Sequence, residues 1–133
     1  MYPHYSWMNA ACETGIPVYS YQFTKENGFH GTYHAGEMIY AYGNVKKDTH
    51  SYRYDKSDIK LSETMLKYWS NFVKFGHPSS TDVADWSTYN PLEPKLMELG
   101  NTVAPKAIPE LDLDAFALCQ EYSEYLLTKG ANK

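Results

Sequence analysis

The amino-acid sequence predicts an α+β chain, mostly helices with one or two short strands, in a single domain spanning residues 1–133. Three observations carry that expectation. Asp58 to Phe75 repeats Leu61, Met65, Trp69 and Phe72 at helical spacing. PVYSYQF, Pro17 to Phe23, is a compact alternating run of Val, Tyr and Phe of the kind that forms a strand. With 133 residues, 43% of them hydrophobic and 13 of them tyrosine, the chain can build one core but not two.

In chain order, Tyr5 to Thr14 reads as the end of a helix, with Trp7, Met8, Ala11 and Cys12 recurring, and Gly15 then Pro17 as its stop. The strand that follows is apolar on both faces, which predicts a place inside a sheet rather than at its edge. Asn27-Gly28 and Gly31 mark a loop from Lys25 to Tyr33. Ala35 to Tyr42 reads as a short helix or turn closed by Gly43, and Lys46 to Lys56 as a surface loop. The long helix is capped at its start by Ser57, Asp58 or Ser62 and ended by Gly76 and Pro78, its stripe widened by Leu66 and Val73. A loop from Pro78 to Pro94 carries Trp86 and Tyr89. Lys95 to Leu99 has the alternation of a short strand, whereas Asn101 to Glu110, with Pro105 and Pro109, reads as irregular. Asp112 to Thr128 is a last helix with Leu118, Cys119, Tyr122, Tyr125 and Leu126 on one face and Gly130 past its end.

Charge and composition exclude several functions. The net charge is −4, Arg53 is the single arginine, and the only basic pair is Lys46-Lys47. Phosphate-backbone binding needs a clustered basic face, so a nucleic-acid partner is not expected. No apolar run is long enough to span a bilayer, and YPHYSW after Met1 lacks a signal core, so no membrane partner and a soluble, cytoplasmic protein are expected. A truncation at Met1 would erase a native leader, which leaves the compartment open. Cys12 and Cys119 read either as buried thiols or as one long-range disulfide.

GTYHAGEMIYAYG, Gly31 to Gly43, is the segment richest in chemistry. It sets His34 on a glycine-flanked loop running into an amphipathic turn, with Glu37 three residues on. Such a histidine suits general acid–base work. Together with PVYSYQF, MLKYWSNFVKFGHPS, WSTY, LMELG and the helix around FALCQEY, in that order, it makes the chain resemble the C-terminal part of type-B carboxylesterases, the family that includes the cholinesterases. The resemblance implies the C-terminal portion of an α/β-hydrolase, a triad role for His34, and a more structural role for Glu37. It implies small-molecule esters as substrates and no cofactor. The family's G-x-S-x-G nucleophile elbow is absent: none of the eight glycines brackets a serine at that spacing. The glycine-rich oxyanion loop is absent too, and neither Glu13 nor Glu26, the only acids before His34, sits in a triad-acid context.

Other readings of these residues are weaker. His30, His34 and Glu37 could be taken for metal ligands, but Gly31 interrupts helical spacing and the H-E-x-x-H order is missing. Ser20, Ser51, Ser62 and Ser70 are nucleophiles in name only, since none sits on a strand-to-helix elbow. Tyr52, Arg53 and Tyr54 read as a binding face or, more simply, as surface aromatics over the core. The expectation is a piece of a serine carboxylesterase that carries the triad histidine and is inactive alone. The alternative is a non-catalytic structural or interaction fragment. The upstream part of the same enzyme is the expected partner. In its absence the Pro17–Phe23 strand would lack neighbours and a homo-oligomer is expected.

Overall fold

A computed structural model describes residues 2–26, 32–45, 54–108 and 113–130. Its elements are α1 (Tyr2–Glu13), β1 (Tyr21–Phe23), α2 (Met38–Ala41), α3 (Lys56–Phe75), β2 (Lys95–Leu99), β3 (Val103–Ala107) and α4 (Leu113–Gly130). That is an α+β arrangement with three strands, not one or two. The sheet order is β1-β2-β3. β1 runs parallel to β2 with Tyr21 opposite Met97, and β2 runs antiparallel to β3 with Met97 opposite Pro105. A parallel pair needs a long crossover, and here α2 and α3 supply it.

Four expectations are corrected. The Pro17–Phe23 strand pairs regularly only over Tyr21–Phe23, although Ser20 C=O still accepts from Met97 N–H at 2.9 Å. It lies at the outer position of the sheet, not inside it, with Tyr21 exposed. Within the stretch expected to be irregular, β3 occupies Val103–Ala107 with Pro105 inside it, while Pro109 and Glu110 lie outside the described residues. A proline costs little in a strand whose other side is open, because the missing N–H is not needed there. On β2, Met97 and Leu99 are fully buried and form its inward face.

The fourth correction concerns α3. Its N-cap is Asp55, whose carboxylate accepts from Ser57 N–H at 2.7 Å and Asp58 N–H at 3.2 Å. Asp58 is the third helical residue and completes a capping box. Gly76 ends the helix in the left-handed region, φ 77, which glycine alone adopts without a Cβ penalty. The inward line runs through Asp58, Leu61, Ser62, Met65 and Tyr68, whereas Phe72 and Val73 are exposed and Trp69 half-buried.

The main core gathers Tyr40, Tyr54, Leu61, Met65, Tyr68, Trp86, Met97 and Leu99. Trp86, from the long loop before β2, is its hub. Its ring meets Tyr68 edge-on at 5.0 Å and Tyr21 at 6.0 Å, and its indole N–H donates to Ser20 C=O at 3.2 Å. Tyr68 O–H donates to Ala84 C=O at 2.9 Å, and burial, then the Asp85 charge, push that phenol up to about 12. A smaller cluster of Met8, Ala11, Val18 and Tyr89 seats α1, with Cys12 S–H reaching Tyr89 C=O. Both cysteines are free thiols, and Cys119 is exposed, not buried. The α4 residues Leu118, Tyr122, Tyr125 and Leu126 are also exposed, and Gly130 closes the helix from inside it. Among the described residues no helix is long and apolar enough to cross a membrane.

Candidate active site

His34 sits at the tip of a tight turn. Gly36 N–H donates to Tyr33 C=O at 3.0 Å, so 33–36 is a β-turn with His34 and Ala35 at its centre. Ala35 has φ 63, the only positive φ of a non-glycine residue among the described residues. A left-handed alanine is disfavoured by roughly 1–2 kcal/mol. Such strain persists where surrounding structure over-determines it, commonly beside functional side chains. The turn projects His34 outward: it is exposed and lines a groove of about 510 Å³. The walls come from α1 (His4, Tyr5, Trp7), from the β1 segment (Tyr19, Tyr21, Phe23) and from Glu37. Burial, then the Glu37 carboxylate, raise the Tyr21 phenol, so Glu37 lies within electrostatic reach of that wall.

The base of the loop is tied. Thr32 O–H donates to Lys25 C=O at 3.3 Å, closing the stems. Beyond the turn, α2 packs on α3 so closely that a Cβ on Gly43, φ 67, would stand 2.7 Å from a Leu66 methyl. Tyr40, buried in α2, donates its O–H to Asp58 Oδ1 at 2.8 Å, and Ser62 O–H donates to Tyr40 C=O at 2.8 Å. Lys25 Nζ, also buried, donates to Ser57 Oγ and Asn101 Oδ1, each at 2.8 Å, and stands 3.5 Å from Asp58 Oδ1. Burial and this hydrogen bond to a carboxylate both raise the Tyr40 phenol far above its ordinary value.

The other sequence candidates fall elsewhere. Ser62 is a core donor to Tyr40 and Ser70 lies exposed on α3. Ser20 shares the groove with His34 but on extended chain, not on an elbow. Ser51, His30, Tyr52, Arg53 and the Lys46-Lys47 pair lie outside the described residues. Tyr54 is a core residue, not part of a binding face. Tyr40 lies in the Gly31–Gly43 segment, but no motif announced that it meets Lys25 and Asp58. Only the Asp55-x-x-Asp58 spacing, a capping-box signature, points toward one of the three.

The family profile described as "Carboxylesterase family" matches residues 1–115. A medium-chain fatty acyl-CoA hydrolase precursor of Anas platyrhynchos is 28% identical over 91% of this chain and 22% of its own length. The acetylcholinesterase of Bungarus fasciatus is 28% identical over 98% of this chain and 22% of its own. Among solved structures, a carboxylesterase of Geobacillus stearothermophilus aligns over 82% of this chain and 23% of its own, with a TM-score of 0.68 and 18% identity. An esterase of Clostridium hathewayi that can hydrolyse aliphatic aromatic polyesters aligns over 79% and 21%, with a TM-score of 0.69 and 17% identity. At such identities the structures speak for the fold, which is a part of the esterases' α/β-hydrolase architecture. The chain spans about a fifth of the length of these relatives, 22% for both curated sequences. By the match over most of its length, the chain belongs to the carboxylesterase family, a family of ester hydrolases.

Proposed function

We propose that this chain contributes the proton-transferring histidine, His34, to a Ser-His-acid carboxylic-ester hydrolase, and that the nucleophile elbow, the oxyanion loop and the triad acid come from the upstream portion of the same enzyme. One observation carries the reading: His34 is held exposed, without a hydrogen bond among the described residues, at the tip of a strained turn on the rim of a groove. A triad histidine must accept the serine proton and return it to the leaving group, which requires an imidazole presented outward on a rigid mount. The turn follows the C-terminal end of a parallel strand, the usual side for ligands in α/β sheets. The aromatic wall of Tyr19, Tyr21 and Phe23 suits the apolar part of a small ester.

The same arrangement favours a partner at β1. Ser20 and Thr24 bond to β2. In a parallel ladder the alternate residues, Tyr21 and Phe23, then turn their backbone groups to the open side. Next to that edge lies an apolar groove of about 300 Å³ lined by Trp7, Tyr19, Trp69, Phe72 and Val73. The upstream portion fills this face in the enzyme, and a second copy takes its place in the isolated chain. Joining the 133-residue chain to an upstream portion that carries a G-x-S-x-G elbow, and measuring hydrolysis of a short-chain activated ester, tests the reading. Activity is expected in the joined protein, none in the chain alone, and a loss of about three decades or more in His34→Ala. Full activity in His34→Ala would place the base elsewhere.

A further inference from the structure

Both stems of the His34 loop end on the same carboxylate. Nine residues before His34, Lys25 brings a buried ammonium to Asp58 Oδ1 at 3.5 Å. Six residues after it, Tyr40 brings a buried phenol to the same oxygen at 2.8 Å. The other oxygen, Asp58 Oδ2, accepts Asp55 N–H at 2.7 Å and so belongs to the capping box that starts α3. Lys25 also donates to Ser57 and Asn101, and faces Asp58 as an ion pair. No buried side-chain polar atom among the described residues lacks a partner.

We infer that Asp58 is the positioning residue for His34: it pins the loop before and after the histidine, through Lys25 and Tyr40, to the first turn of α3, and thereby holds the imidazole where the proposed proton transfer needs it. Two features separate this role from mere stability. A buried ion pair is on average a weak source of stability, because desolvation offsets the attraction, and its attested use is to fix one geometry. Asp58 also need not bind a lysine and a phenol in order to cap α3, since the box needs only Oδ2 and Asp55. The left-handed Ala35 lies between the two pinned stems, where closure at both ends can hold it against its local preference. Any loosening of either stem would let the turn relax and carry His34 with it. The inference rests on the catalytic reading of His34 for its consequence, but the anchoring can be measured without it.

Tyr40→Phe and Asp58→Asn test it, with Asp58→Glu as the conservative rescue. Tyr40→Phe keeps the ring packed against Phe23 and Tyr54, so it remains informative if the Asp58 variants do not fold. In the 133-residue chain, amide exchange along 35–43 should quicken about ten- to a hundredfold in Tyr40→Phe, the change expected when a hydrogen bond to a charged acceptor is lost. Exchange along 61–72 should stay within a factor of two or so of the parent. Uniform quickening, or none, overturns the anchoring. In the joined enzyme, Tyr40→Phe should lower kcat with KM nearly unchanged, and Asp58→Glu should recover more kcat than Asp58→Asn. A rise in KM alone, or equal losses in Glu and Asn, overturns the positioning role. If the joined enzyme keeps full activity in His34→Ala, the catalytic reading fails, and the exchange result still decides whether Asp58 anchors the loop.

Discussion

Met65→Ala should be among the most damaging single truncations in this chain, and the reason can be followed atom by atom. Met65 is 0% exposed at the middle of α3. It shares a cluster with Tyr40 of α2 and with Met97 and Leu99 of β2, so two separately anchored elements join α3 in this core. Truncation removes the side chain beyond Cβ. The walls are held by their own backbone pairing and by the Tyr40–Asp58 bond, so collapse into the void is limited. Buried Met→Ala changes cost about 2–5 kcal/mol, and restricted collapse puts this one at about 3 kcal/mol. A domain of this size typically has ~5–15 kcal/mol of stability in all. The loss should lower the melting temperature by roughly 10 °C. The control lies two turns further along the same helix: Val73 is 84% exposed, and Val73→Ala should stay within about 0.5 kcal/mol of the parent. Urea unfolding followed by the fluorescence of Trp7, Trp69 and Trp86 measures both. If Val73→Ala costs ~2 kcal/mol or more while Met65→Ala is neutral, the burial assigned along α3 is wrong.

Further outcomes follow from the same geometry. His34→Ala should leave the urea midpoint of the 133-residue chain unchanged, because the imidazole is exposed and bonds to nothing among the described residues. A clear loss of stability would mean that it packs in the core. The Asp55 carboxyl is held down at about 2 from an ordinary 3.8, first by Ser57 O–H and then by the Asp58 and Ser57 N–H groups. A carboxylate with a depressed folded value stabilises above its unfolded value and loses that contribution as the pH falls through the folded one. The advantage of the parent over Asp55→Asn should therefore be constant above about pH 3.8 and fade toward about pH 2, which denaturant midpoints across that range would reveal. Gly43→Ala should cost about 1–2 kcal/mol from its left-handed φ, plus the clash with Leu66, and Leu66→Ala in the same chain should recover only the clash. Sedimentation across dilution should show the isolated chain associating, less so in Tyr21→Lys, since a charged edge residue opposes strand addition. A monomer at every concentration with slow exchange along 18–23 would show that β1 finds its cover within one chain.

The sequence by itself determined what short-range chemistry determines. Helical spacing and Gly76 set the end of α3 at Phe75, alternation set β2 at Lys95–Leu99, and glycine at 43 closed the turn after α2. The ordered motifs around His34 were enough to indicate the family. What it could not determine was everything fixed by partners distant in the chain. Periodicity placed Leu61 and Met65 correctly but also put Phe72 and Val73 on the apolar stripe of α3, whereas the sheet and Trp86 chose Tyr68, because burial depends on what another element presents to the helix. Pro105 argued against a strand until β2 offered one side for pairing and left the other open. No motif joins Lys25, Tyr40 and Asp58, which are separated by 15 and 18 residues and meet only where β1, α2 and α3 converge. Their convergence is a tertiary decision: a buried charge is tolerable only if every partner arrives together, and no local stretch of sequence records that it will.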